Sequence, residues 1–176
     1  MKTSLHLGCG KRKRPGSIGV DIFPGSDADV LCDLNRFPYP FADNSFDEII
    51  AEHVLEHLDN LIGVVEELHR IARPGARLHV EVPHFSSVFY YQDPTHRHAF
   101  TSRTFDYFVP GMEVHHFGYS NAVLDVVKVE FPPPPDAGLM KRAIFRWVNR
   151  HIDAYEKHLA FVLPRHLLRF ELKFVK

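Results

Sequence analysis

The sequence predicts an α/β domain on a mostly parallel sheet, and three observations carry that prediction. Short apolar runs recur early at regular spacing, at Ser4 to Leu7, Ile18 to Ile22, Ala28 to Cys32 and Phe46 to Ala51, each bounded by turn residues. A helix-spaced segment comes next and a further strand-like run, Arg77 to Val82, follows it. Strands alternating with helices imply a parallel sheet covered on its faces. Finally, 176 residues at 45% hydrophobic content suffice for one buried core and fall short of two ordinary domains, so a single domain over 1–176 is expected.

The helix is marked by Leu61, Val64, Val65, Leu68, Ile71 and Ala72, with Asp59 or Asn60 as its cap and Arg73-Pro74-Gly75 as its stop. Residues 83–118 are rich in aromatics and histidines, with little periodicity apart from a short helix around Ser102 to Phe108. They read as a substrate cap. Val123 to Phe131 is a strand, and the prolines Pro132 to Pro135 begin a stiff linker. Helical character from Leu139 to about Ile152 makes 132–165 a Pro-rich linker with a helical insertion. Phe170 to Val175 alternates as a terminal strand, so the last two strands are expected to pair antiparallel around the insertion.

The 21 basic and 22 acidic residues nearly cancel, which gives no global field for a nucleic-acid partner. Two cysteines make no disulfide framework, and no N-terminal apolar stretch reads as a signal peptide or membrane span. A reducing cytoplasm is the expected compartment. Thirteen histidines invite acid–base and metal readings.

Three strand ends carry the functional signal. Leu5-His6-Leu7-Gly8-Cys9-Gly10 ends in glycines, Ile18-Gly19-Val20-Asp21-Ile22 ends at a carboxylate, and Val30-Leu31-Cys32-Asp33-Leu34 ends at another. Glycines admit close backbone approach and a carboxylate chelates ribose hydroxyls, a combination suited to a nucleoside ligand at the carboxyl ends of strands.

Together with Pro40 to Asp47, Glu52 to Leu58 and Arg73 to Leu78, these motifs resemble the class I S-adenosylmethionine-dependent methyltransferases, well over the first half and loosely beyond it. The resemblance implies a Rossmann-like sheet, mostly parallel with a C-terminal antiparallel pair, and S-adenosyl-L-methionine as cofactor. It implies that Leu7, Gly8, Cys9 and Gly10 approach the methionine portion, that Asp21 and Ile22 meet the ribose, and that Cys32, Asp33 and Leu34 meet the adenine. Glu52 and His53 would line the methyl-donor end. The other nucleotide reading, a nicotinamide-dependent oxidoreductase, expects its ribose acid about 20 residues after the glycines, and Asp21 comes too soon. A non-catalytic module retaining the cofactor fold is the third reading.

Two departures from the family stand out. His6 occupies a position that is commonly acidic, and Lys11 to Ser17 leaves no room for the usual first crossover helix, so that helix is expected to be shortened or absent. Most charges of Lys11-Arg12-Lys13-Arg14 read as a solvated turn.

Methyl transfer to a hydroxyl requires alignment and removal of a proton. The stretch Tyr90 to Phe100 follows the fifth strand and supplies His96 and His98 as candidate bases, with His84, Tyr90, Tyr91 and Asp93 as candidate acceptor contacts. Its Asp-Pro-Thr-His element is similar to one in methyltransferase-like proteins of glycan biosynthesis, so the acceptor is expected to be a small molecule or glycan. No metal is expected: neither Asp93 with His96 and His98 nor His115 with His116 has diagnostic spacing, and His53-Val54-Leu55-Glu56-His57 matches an inverted zinc-protease pattern only as a short string. Cys9 lacks a matched base. The amphipathic stretch around Trp147 could touch a membrane surface, but packing over the core is the preferred reading.

Overall fold

The computed structural model describes residues 3–176. Among them, seven strands form one sheet: β1 (Ser4–Leu7), β2 (Ser17–Asp21), β3 (Val30–Leu31), β4 (Phe46–Glu52), β5 (Ala72–Pro83), β6 (Val123–Glu130) and β7 (Leu167–Val175), in spatial order β3-β2-β1-β4-β5-β7-β6. The pairs from β3 through β5 are parallel, and β7 runs antiparallel to both β5 and β6. The expected α/β sheet with a C-terminal antiparallel pair is therefore what the chain forms. The chain moves outward from β1 to β3, then returns to β4 on the other side of β1. Connections that diverge in this way leave a crevice at the carboxyl ends of β1 and β4.

Helix α1 (Leu61–Ile71) starts where Asn60 Oδ1 accepts the Gly63 N–H at 3.0 Å. Its helix-spaced Val64, Val65, Leu68 and Ile71 are fully buried. Ala72, assigned to the helix from its spacing, instead opens β5 opposite Phe46, and a register shift absorbs the turn residues after it. The two-residue β3 is shorter than its apolar run suggests.

The absence of a first crossover helix holds: residues 8–16 join β1 to β2 without helical turns. Polar contacts organise this loop in its place. Buried His6 accepts the Arg14 N–H through Nδ1 at 3.1 Å, and the Ser17 hydroxyl donates to Arg14 O at 2.7 Å. Burial lowers the His6 pKa against the opposing pull of Glu52, which suits an acceptor nitrogen. The basic run is partly paired: Lys13 Nζ binds Asp29 at 2.8 Å and the Arg14 guanidinium binds Glu52.

The β2–β3 and β3–β4 connections are also non-helical, which corrects the expectation of a sheet covered on both faces. The strands alternate accordingly. In β7, Leu168, Phe170, Leu172 and Phe174 are buried while Arg169 and Lys173 are exposed. One face therefore forms the core against α1, whereas Glu48, His79, Glu81 and Arg169 line an open groove of about 440 Å³ on the other. Cross-strand pairs bridge that face, including His79 Nε2–Glu48 Oε1 at 3.3 Å and Arg77 Nη1–Glu171 Oε1 at 2.7 Å.

One ionic anchor ties the β3–β4 connection to α1. Glu67 accepts the Tyr39 N–H and Arg70 Nη2, both at 2.6 Å, through Oε1, and Arg70 Nε at 2.9 Å through Oε2. Burial disfavours its charge, but Arg70 and the Tyr39 N–H outweigh that and hold its pKa below the ordinary glutamate value. A depressed folded-state pKa means this stabilisation is present above the unfolded pKa and is lost as pH falls through the folded one. Glu67→Gln is expected to cost about 1.5–3 kcal/mol at neutral pH. In urea melts from pH 7 down to pH 3, the gap between wild type and variant should narrow; a gap constant with pH would exclude the charge as its source.

Beyond β5 come the short helix α2 (Val88–Gln92) and 3₁₀ turns at Thr104–Phe108 and Glu113–Phe117. The insertion between β6 and β7 forms α3 (Leu139–Arg150) and α4 (Ile152–His158), two helices where periodicity suggested one. Phe145 and Val148 of α3 are buried, whereas Met140 and Trp147 on the adjacent stripe are exposed. No helix among the described residues is long and apolar enough to cross a membrane.

Candidate active site

Two cavities open at the carboxyl ends of the parallel strands and share a wall. The first, about 310 Å³, is lined by Gly8 from the β1 end, Asp21 and Ile22 from β2, Cys32, Asp33, Leu34 and Asn35 after β3, and His53, Val54, His57 and Leu58 after β4. The second, about 490 Å³, is lined by His53, Glu56, His57, Pro83, Phe89, Gln92, Asp93, Pro94, His96 and Leu167. His53 and His57 belong to both.

The first cavity fits a nucleoside with an amino-acid tail. Gly8 takes φ +56°, and a Cβ there would lie 2.6 Å from Val54 Cγ2, so a side chain is excluded by both conformation and space. A Cβ on Gly10 (φ +50°) would meet nothing within 4 Å, which leaves that flank of the loop open to a ligand. Asp21 holds the loop, accepting Gly10 N–H through Oδ2 and Phe23 N–H through Oδ1, each at 2.8 Å. A carboxylate offers about four lone-pair sites, so roughly two remain for vicinal hydroxyls. Ile22 is 65% exposed beside it and supplies an apolar flank. Asp33 is fixed by Asn35 N–H at 3.0 Å and by Arg36 Nε at 3.2 Å.

Asp21→Ala removes the carboxylate's free lone-pair sites and the loop's anchor together. Affinity for S-adenosylhomocysteine is expected to fall by about 1.5–3 kcal/mol, read by isothermal titration. Unchanged affinity would remove Asp21 from the ribose role.

Other residues expected around the cofactor lie outside that lining. Leu7 and Cys9 are buried beneath the loop, where desolvation raises the Cys9 thiol pKa and makes it a poor nucleophile. Glu52 ends β4 with its side chain on the groove face, against Arg14. Strand alternation separates it from His53, the next residue.

His53 has left-handed φ (+52°), unusual for a side chain of its size. That conformation sets its ring between two carboxylates, Nδ1 3.4 Å from Glu56 Oε1 and Nε2 3.3 Å from Glu81 Oε1. Glu56 and Glu81 raise its pKa to about 9, while His53 and then Arg169 hold Glu81 near about 2. At neutral pH His53 is therefore a cationic donor in the shared wall.

The second cavity is closed by a backbone latch. Glu56 O accepts Arg97 N–H at 2.7 Å and His98 N–H at 3.3 Å, which brings loop 93–98 against the 3₁₀ turn Leu55–His57. Asp93-Pro94-Thr95 forms an Asx turn, with Asp93 Oδ1 accepting Thr95 N–H at 2.8 Å and the Thr95 hydroxyl at 2.7 Å. That hydroxyl proton is committed to Asp93, so Thr95 Oγ1 accepts from His57 Nδ1 at 2.8 Å. His96 Nδ1 donates to Tyr90 O at 2.9 Å. In each neutral ring the remaining nitrogen, Nε2, carries the lone pair.

The expected catalytic pair is divided. His96 lines the second cavity, whereas His98 faces a separate one with Tyr107, Phe108 and Tyr119. Of the expected acceptor contacts, Asp93 lines the second cavity. His84 does not: it is fully buried, with Nδ1 2.8 Å from Ser86 Oγ and Nε2 3.2 Å from Glu156 Oε1, and it packs the core against Phe131 and Tyr155. Tyr90 stacks on His96 from outside the lining, and Tyr91 is 68% exposed. Phe89, Gln92, Glu56 and His57 line the site instead. Only the tertiary fold makes Glu56 and His57 neighbours of His96, so local spacing gave no signal for them.

A sheet of this order, with a nucleoside-shaped cavity at its β1–β4 crevice, defines the class I methyltransferase fold. Residues 17–80 match the family model described as a methyltransferase domain. Similar solved structures include a SAM-dependent methyltransferase from Archaeoglobus fulgidus (18% identity, 98% of this chain and 86% of that one, TM-score 0.58) and the YcgJ protein from Bacillus subtilis (13%, 99% and 92%, TM-score 0.62). A third is a putative methyltransferase from Haloferax volcanii, solved with its Trm112 activator (17%, 99% and 82%, TM-score 0.61). A curated relative, the ubiquinone/menaquinone biosynthesis C-methyltransferase UbiE of Desulfotalea psychrophila, is 36% identical over 66 residues, which is 38% of this chain and 23% of that relative. The chain thus matches less than a quarter of that protein's length. These solved structures give the chain the class I methyltransferase fold, and residues 17–80 carry the sequence pattern of a methyltransferase domain.

Proposed function

We propose that this protein is an enzyme that methylates a hydroxyl of a small-molecule or glycan acceptor, with donor and acceptor in the two cavities divided by His53 and His57. The observation that carries the reading is that shared wall. Bound S-adenosylmethionine supplies an electrophilic methyl carbon on a sulfonium. Asp21, Asp33 and the Gly8–Gly10 loop bind the donor's nucleoside and tail. On the other side, Phe89 and Pro83 give the acceptor apolar contact, and Gln92 and Asp93 give it hydrogen bonds. His96 Nε2 presents the lone pair that accepts the hydroxyl proton, a role His98 is turned away from. Two free cysteines suit a reducing compartment, which supports a cytoplasmic location.

Isothermal titration with S-adenosylhomocysteine and with nicotinamide dinucleotides tests the donor half, and radiolabelled methyl transfer across sugar, lipid-linked and small-molecule hydroxyls tests the acceptor half. Binding of the first ligand and transfer to oxygen are expected. Binding of dinucleotides alone would point to an oxidoreductase, and cofactor binding without transfer to any acceptor would point to a non-catalytic module. Transfer to carbon, the chemistry named for the curated relative, would overturn the hydroxyl assignment.

A further inference from the structure

We propose that Glu56, His57 and His96 form a binding site for a divalent transition-metal ion at the floor of the acceptor cavity. One potential ligand atom from each lies within 4.8 Å of the other two. The cluster presents acceptors only. Glu56 is 0% exposed, and neither of its carboxylate oxygens has a hydrogen bond, the nearest donor being His53 Nδ1 at 3.4 Å from Oε1, out of bonding geometry. His57 and His96 have their Nδ1 atoms engaged with Thr95 and the Tyr90 carbonyl, which leaves Nε2 of each ring as the ligand atom. A buried carboxylate whose oxygens make no hydrogen bond, beside two such nitrogens, leaves lone pairs that a cation can take up even with His53 3.4 Å from Oε1.

Two imidazoles and one carboxylate are the ligand set of open catalytic zinc sites and of related first-row metal sites. The outer shell matches as well. Metal-bound imidazoles characteristically donate their second N–H to a carbonyl, hydroxyl or carboxylate, and here Tyr90 O and the Thr95–Asp93 relay receive them. Asp93 Oδ2, 4.0 Å from His96 Nε2, is within reach as a further oxygen ligand. Arg97, the neighbouring cation, is occupied by Asp59 at 2.7 Å. His53, although part of the His-x-x-Glu-His string, is not a ligand, because its ring is spent between Glu56 and Glu81.

Use of the ion rests on the methyltransferase reading; its binding does not. The acceptor oxygen would take an open coordination position and lose its proton to water, and its lone pair would then attack the methyl carbon. As the carbon–oxygen bond forms, the carbon–sulfur bond breaks and its electron pair returns to sulfur. The ion would thus occupy the lone pair that His96 otherwise offers the proton.

The test is titration of the chelator-treated protein with Zn²⁺ and with Co²⁺, by calorimetry and by Co²⁺ visible absorption, with S-adenosylhomocysteine affinity measured on the same samples. Binding of one ion per chain is expected, weakened about 100-fold or more by His57→Ala and by His96→Ala, and about 10-fold by Thr95→Val, which removes only the outer-shell contact. His116→Ala should leave metal binding unchanged. No binding, or binding insensitive to both His57→Ala and His96→Ala, overturns the site, with a shared proton then balancing the cluster. Far-ultraviolet dichroism shows that each variant is folded, since His57 also lines the cofactor cavity. Retained S-adenosylhomocysteine binding is expected for His96→Ala, which lies outside that lining. It also separates failure of the metal site from failure of the methyltransferase reading.

Discussion

His96→Ala is expected to lower methyl-transfer turnover by about 10²–10⁴-fold, the usual contribution of a positioned proton acceptor, while S-adenosylhomocysteine affinity stays unchanged. The selectivity follows from position: His96 lines the acceptor cavity and is absent from the cofactor lining. Its ring is also well held, with a side chain 7% exposed, Nδ1 on Tyr90 O and a face stacked on Tyr90 at 5.7 Å. Initial rates at saturating donor, paired with calorimetry, read both quantities. Turnover near wild type would remove His96 from the chemistry. A parallel loss of cofactor affinity would make it a support of the shared wall through His57, whose ring lies 4.7 Å away. The matching His98→Ala measurement separates the two histidines of one tripeptide, because only His96 opens on the acceptor.

Much of the first cavity's lining was legible because its signals are local. The positive φ of Gly8 belongs to its own turn, although the Val54 contact that also excludes a side chain there does not, and Asp21 and Asp33 stand at strand ends recognisable from apolar runs. The gap at Lys11 to Ser17 correctly announced a missing crossover helix, since a chain segment that short cannot hold one. Its structural consequence was less visible. The groove face follows from alternation within β4, β5 and β7, and Glu48, His79 and Arg169 become a paired surface only once register is known. The acceptor half was harder still. His84 follows a strand in the same neighbourhood as His96, but the chain folds it inward onto Glu156, which is 72 residues away. The Glu56–Arg97 latch is also non-local, and the short string that contains Glu56 and His57 carries no sign of the loop that packs against it.

Tyr155→Ala is expected to cost about 3–5 kcal/mol of stability, comparable with aromatic truncation in a packed core. The sequence marks 132–165 as a Pro-rich linker with a helical insertion, yet α4 contributes one of the largest fully buried side chains among the described residues. The Tyr155 ring meets Phe131 at 5.2 Å and His84 at 6.1 Å, its hydroxyl donates to Leu163 O at 2.9 Å, and the Arg165 guanidinium lies 5.8 Å from its centroid. One residue on, Glu156 accepts Ser102 N–H at 2.7 Å and the Ser102 hydroxyl at 2.8 Å, which couples the insertion to the segment after the acceptor loop. Truncation at Tyr155 would therefore open a cavity beside Phe131 and His84. Trp147→Ala is the control: its ring is 47% exposed on α3, and its loss should cost well under half as much. Urea unfolding of the two variants, followed by far-ultraviolet dichroism and by tryptophan emission in the Tyr155 variant, measures the difference. A Tyr155→Ala protein as stable as wild type would mean that the insertion is an appendage. A single cooperative transition with a large loss would mean that the helices between β6 and β7 fold with the sheet.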